Sequence, residues 1–191
     1  MKKSIGADTL AYPTPVWCVG SYDNEGRPNV MTIAWGGICC SKPPAVTVSL
    51  RKATYTYGCI VARKAYTISV PSTKYIAEAD YFGMASGKNT NKFEDTGLTA
   101  VRSDRVDAPY VGEFPLILEC NVIHTLEIGL HTQFVGQIVD IQADEEILNE
   151  KGLPVMERGV PFVFAPGIRE YLSLGGAAGR AFDIGKKFKP A

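Results

Sequence analysis

The sequence predicts a mainly β fold, an antiparallel barrel that is closed or nearly closed, with a few helices in long connections. Three observations predict it. Short runs rich in β-branched and aromatic residues recur along the chain. Helical spacing is confined to three segments between them. Strands and helices do not alternate one for one, as a parallel βαβ sheet would require. With 191 residues, 46% of them hydrophobic, the chain is sized for one domain with a full core. No linker, repeat or low-complexity segment divides residues 1–191.

Residues 16–22 (VWCVGSY) read as a strand that forms a hairpin with residues 29–35, across the turn-like Asp23-Asn24-Glu25-Gly26. Residues 45–50 (AVTVSL) put Val46, Val48 and Leu50 on one face and Thr47 and Ser49 on the other. Thr54 or Thr56 is placed to cap a helix running to about Lys64, with Arg63 and Lys64 complementing its dipole. Residues 65–70 (AYTISV) alternate again and stop at Pro71. A second helix follows Ser72, with Tyr75, Ile76, Ala79 and Phe82 on its apolar side, and a short third one covers residues 92–95. Residues 83–91 (GMASGKNTN) form the most loop-like interior segment. Long strands are expected at residues 116–126 and 132–142, with Gly129 and His131 in the turn between them and a bulge marked by Gly136.

Composition excludes several classes. Twenty basic residues balance twenty acidic ones, so no net field favours nucleic acid or an anionic membrane. Two lysines at the N-terminus have no apolar run behind them, and no segment has the length of a membrane-spanning helix. Five unevenly spaced cysteines suit a reduced, cytoplasmic protein. There is no Gly-x-Gly-x-x-Gly, no Gly-x-Ser-x-Gly and no set of residues at metal-ligand spacing. Residues 179–187 (GRAFDIGKK) miss a phosphate loop by spacing and by the absent Ser or Thr.

Two stretches point to a ligand. Residues 28–44 (PNVMTIAWGGICCSKPP) combine a strand with Trp35 and the pair Gly36-Gly37, where something can approach the backbone closely. A flat, partly apolar ligand is one reading; a bulged core strand with a buried tryptophan is the other. The adjacent Cys39-Cys40 pair reads as two small buried hydrophobes, with a redox-active dithiol as the alternative. In residues 49–56, Ser49, Arg51, Thr54 and Thr56 lie between a strand end and a helix start, which suits a phosphate as well as it suits an ordinary surface turn. Lys92, after the polar loop, is a candidate second phosphate ligand or else a solvated lysine. A flat ring with one phosphate tail describes FMN better than NAD or FAD.

At this point the chain resembles a known group, the FMN-binding split-barrel proteins of the flavin reductase-like class. The resemblance is carried by residues 21–57 (SYDNEGRPNVMTIAWGGICCSKPPAVTVSLRKATYTY), 91–98 (NKFEDTGL) and 116–141 (LILECNVIHTLEIGLHTQFVGQIVDI), and runs from about residue 13 to 164. It implies a split barrel. It also implies that Asn29 and the backbone of Val30, Met31, Thr32, Ala34 and Trp35 meet the isoalloxazine and ribityl chain, with Trp35 against the ring. Ser49, Arg51, Thr54 and Thr56, helped by Lys92, would fix the phosphate. His131 and Phe164 would reach the flavin from a neighbouring part of the barrel or from the partner subunit of a homodimer. No side chain is needed as acid or base, because the flavin carries the chemistry. The implied function is electron transfer with a redox partner protein or NAD(P)H, the alternative being an NAD(P)H-dependent flavin or ferric reductase. A β-barrel without redox work is the reading from another class. The stretch from residue 175 is assigned only packing or dimer contacts.

Overall fold

A two-residue strand, Thr14–Pro15 (β1), leads into a hairpin of Trp17–Tyr22 (β2) and Pro28–Ile33 (β3). Asp23 fixes the hairpin turn: its carboxylate accepts the backbone N–H groups of Glu25 and Arg27 at 2.9 Å each, and the Tyr55 hydroxyl at 2.8 Å. Burial pushes this carboxyl up, but those hydrogen bonds outweigh it and hold the pKa down at about 2. The computed structural model describes residues 1–188, so the last three residues of the C-terminal stretch lie outside the described part.

The run from 28 to 44 is two strands, and not one bulged strand. After β3, Ala34 and Trp35 turn the chain, and Gly36–Ser41 (β4) pairs with Pro44–Arg51 (β5). Helix α1 (Tyr55–Arg63) follows; Thr54 stands at its N-cap position with extended backbone, but its hydroxyl donates to Arg51 O at 2.8 Å and caps nothing. Next come Ala65–Val70 (β6), α2 (Ile76–Met84), α3 (Lys92–Thr96), Ala100–Arg102 (β7) and Pro109–Val111 (β8). A long hairpin, Leu116–Ile128 (β9) and His131–Ala143 (β10), turns at Gly129-Leu130, so His131 begins a strand. Helix α4 (Met156–Gly159) and a hairpin of Phe162–Ala165 (β11) and Glu170–Ser173 (β12) complete the elements. That last hairpin was not expected.

One antiparallel sheet has the order β3-β2-β6-β9-β10-β5-β4. Its two edges, β3 and β4, are consecutive in sequence yet do not pair, which makes the barrel split. A backbone bond from Ser49 N–H to Trp35 O, 2.9 Å, ties the turn at this seam to β5. Inside, residues from both halves of the sheet share one core: Val19 and Ile33 meet Val46, Val48, Leu50, Ile68 and Phe134, with Ile60 of α1 plugging one end. Tyr66 crosses the interior and donates to Val46 O at 3.1 Å. Gly136 makes room for it, since a Cβ there would lie 2.3 Å from the Tyr66 hydroxyl. The expected bulge is present, as a register shift at Val135/Gly136. A second core lies under the long connections, where Val30, Ala79, Phe82, Phe93 and Phe162 bury the outer side of β2 and β3.

Candidate functional site

Strand β3 is an edge strand, and its two ends open into two cavities of different character. At its C-terminal end a cavity of about 550 Å³ is lined by Thr32, Ala34 and Trp35 from the seam, Asp80, Gly83 and Met84 from α2, and Phe164, Arg169 and Tyr171 from the last hairpin. Four of the expected residues, Thr32, Ala34, Trp35 and Phe164, therefore share one wall system. The side chain of Thr32 does not face a ligand freely. It donates to Ala79 O and stands 3.3 Å from the Cys18 sulfur, binding β3 to α2.

At the N-terminal end a polar cavity of about 330 Å³ is lined by Arg27, Asn29, Tyr55, Lys88, Asn89, Thr90 and Lys92, among others. Asn29 is buried there. Its Nδ2 donates to Thr56 Oγ1 at 2.8 Å, while its Oδ1 is buried without a partner. An unsatisfied buried acceptor costs about 1–3 kcal/mol, so it marks a place where a donor is wanted. Gly87 presses close by, and a Cβ on it would sit 2.0 Å from that oxygen. Thr56 is itself buried and reaches the cavity only through Asn29.

Lys92 is not a solvated lysine. It is 4% exposed, and Nζ donates to Val30 O and Phe82 O at 2.8 Å each. Burial away from water lowers its pKa to about 8. Two of its three donors bind β3 to α2, which leaves one for the cavity it lines. Val30 is buried in the outer core, and Met31 packs on the barrel core. For Val30, only the backbone is available to a ligand.

The remaining expected residues form a third group. Ser49 and Arg51 lie opposite Gln133 and His131 in the β5–β10 ladder. They share the face of β5 that alternates with the buried Val48 and Leu50, so they point out of the barrel. Thr54 closes the turn onto Arg51 O through both its N–H, 3.0 Å, and its hydroxyl. None of Ser49, Arg51, Thr54 and His131 lines either cavity. Cys39 and Cys40, expected to be buried, are exposed on the edge strand β4 beside Ile38, which is 65% exposed. They are on the surface because β4 lies outermost in the sheet, with β5 on one side only.

Sequence reasoning missed Arg27, Tyr55, Lys88, Asp80, Met84, Arg169 and Tyr171. For the last two a signal existed: Pro166-Gly167 between two short apolar runs marks a hairpin turn. Among the described residues no group of acidic, histidine or cysteine side chains is arranged to hold a metal ion.

The molecule is thus a split antiparallel barrel with an aromatic cavity and a cationic polar cavity at the two ends of one edge strand. The chain belongs to the flavin reductase-like domain family, whose model matches residues 9–167. Its fold is similar to that of the flavoredoxin of Desulfovibrio vulgaris (Miyazaki F), with a TM-score of 0.94 and 54% identity, covering 97% of this chain and 100% of that one. It is 33% identical over 115 residues to an uncharacterized Archaeoglobus fulgidus protein, 60% of this chain and 65% of that one. A ferric-chelate reductase (NAD(P)H) of the same organism is 25% identical over 122 residues, 62% of this chain and 71% of that protein.

Proposed function

We propose that this chain is a flavoprotein that binds FMN non-covalently and passes electrons between a donor and an acceptor, as a carrier or reductase. The observation that carries the reading is the pairing of an aromatic and a cationic cavity on one strand. Asn29 and Thr32 are three residues apart, roughly 10 Å of strand, which matches the reach of an extended five-carbon linker between a ring and one phosphate. One ring end and one phosphate end support FMN over the longer FAD.

The residues fit such a group. The orphaned Asn29 Oδ1 is an acceptor for a ribityl hydroxyl. Lys92, with its free donor, and Lys88 offer cations at the phosphate end, next to the start of α1. Backbone groups of Val30, Met31, Thr32 and Ala34, with the Trp35 side chain and Phe164, would border the ring. Bound there, FMN would supply the redox chemistry, and this chain's residues would hold and orient it. Ser49, Arg51, Thr54 and His131 fit the reading as a surface group completed by a second copy, in a homodimer. Exposed Leu126, Ile128 and Leu130 on the β9–β10 hairpin support that assembly. A cytoplasmic location is in keeping with five free cysteines.

Purified protein should be yellow and release FMN on denaturation; a colourless protein that does not take up FMN refutes the reading. A second reading, an NAD(P)H-dependent flavin or ferric reductase, is favoured by the likeness to the ferric-chelate reductase. Anaerobic mixing separates the two. Bleaching by NADH or NADPH marks a reductase, whereas bleaching only by a reduced protein donor marks a carrier.

A further inference from the structure

The 550 Å³ cavity is lined by α2 and the last hairpin as well as by the edge of β3. Its lining is largely aromatic or soft: Trp35 from the seam, Phe164 and Tyr171 from the last hairpin, and Met84 from α2. Two charged side chains reach it, and they differ in how they are engaged. Asp80 accepts the Tyr171 hydroxyl at 2.7 Å, so its carboxylate is already partnered. Arg169 makes no ion pair among the described residues. It stands at the end of the turn between β11 and β12, with its N–H on Ala165 O at 2.8 Å. Its φ of 57° lies in the left-handed region that glycine or asparagine occupies with less strain. The turn thus presents an unpaired guanidinium at the rim of an aromatic cavity, where its planar fork suits a carboxylate.

We propose that the part of this cavity lined by the last hairpin is a binding site for monocyclic aromatic carboxylates, with Arg169 holding the carboxylate and Trp35, Phe164 and Tyr171 enclosing the ring. The proposal rests on the reading that the part along Thr32 to Trp35 takes the flavin, since a ligand so placed would lie beside it. A flat ring with one negative charge uses every feature on this wall. A neutral ring would leave the guanidinium without a partner, and a larger polyanion would meet the Asp80 carboxylate.

Benzoate and benzyl alcohol are the probes, titrated into the protein as purified while tryptophan fluorescence and the visible spectrum are followed. Wild type should bind benzoate more tightly than benzyl alcohol. In Arg169→Met, benzoate affinity should fall by about tenfold or more, the loss of a charge-assisted contact, with benzyl alcohol unchanged and Arg169→Lys intermediate. Arg169 is exposed, and an unaltered cooperative melt would confirm that the variants fold. Equal binding of both probes by wild type, no binding of either, or unchanged benzoate affinity in Arg169→Met would overturn the proposal. Loss of bound flavin in Arg169→Met would also overturn it, by assigning the guanidinium to the cofactor. A wild-type protein that binds no flavin defeats the flavin reading separately, and the two benzoate titrations still decide this one.

Discussion

Replacing Lys92 by methionine tests the wall of the polar cavity, where the lysine binds β3 to α2. The lysine gives two charge-assisted hydrogen bonds, to Val30 O and Phe82 O. At about 1.5–3 kcal/mol each, their loss costs roughly 3–6 kcal/mol. Against this, burial lowers the lysine pKa from 10.5 to about 8. That gap of about 2.5 units corresponds to about 3 kcal/mol of destabilisation that methionine removes. Lys92→Met should therefore be less stable near pH 7 by about 0–3 kcal/mol. The pH dependence is the sharper test. A base whose folded pKa lies below its unfolded value is penalised while charged. That penalty is full below about pH 8 and disappears towards 10.5, as the folded lysine gives up its proton and the unfolded one keeps it. Wild type should thus gain on Lys92→Met by about 3 kcal/mol across that window, read from urea denaturation of both proteins at several pH values. Groups that do not interact with Lys92 cancel in the difference; the buried Cys18 does interact with it, but desolvation holds that thiol up at about 12, above this window. Parallel stability curves from pH 7 to 10.5 would refute the assignment of a buried, charged Lys92.

Four further outcomes are expected. Under native conditions a thiol reagent should modify two of the five cysteines quickly, Cys39 and Cys40, because the other three are buried; fast reaction of all five would contradict the fold. Gly20→Ala should lower stability by several kcal/mol, on the order of a severe core substitution, because its Cβ would lie 2.1 Å from Pro109 O, a backbone atom with little room to move. A melt unchanged from wild type would show that the β2–β8 packing is wrong. Gly87→Ala should weaken FMN retention more than it weakens folding, since its Cβ would strike Asn29 Oδ1; equilibrium dialysis that finds the same FMN affinity would remove Asn29 from the site. Arg51→Ala with Thr54→Ala isolates the outward-facing group. If those residues hold the phosphate across a dimer, FMN affinity should fall and be concentration-dependent, and an unchanged affinity would leave the phosphate to Lys88 and Lys92.

Most of the fold was legible in the sequence because its signals are local. Alternation and β-branching set the strands at 45–50 and 65–70, Thr54 preceded its helix, and Gly136 announced its bulge. A local pattern reports which face of a strand is apolar; it does not report whether that strand has one neighbour or two. For that reason Cys39 and Cys40 read as core residues and lie instead on an edge. For Lys92, the alternative of a solvated lysine fails in the opposite direction. Its charge and its polar neighbours suit solvent, but two backbone carbonyls, from Val30 and from Phe82, are brought to it by chain segments 62 and 10 residues away.

The site divides in the same way. By itself the sequence pointed to β3 and the Trp35 turn, since a strand end, a tryptophan and paired glycines are contiguous. Only the tertiary structure decided that Trp35 shares a cavity with Arg169 and Tyr171, and that Asn29 shares one with Lys88. Each of these pairs joins segments far apart in the chain, and their approach is set by how α2 and the last hairpin pack on an unpaired sheet edge.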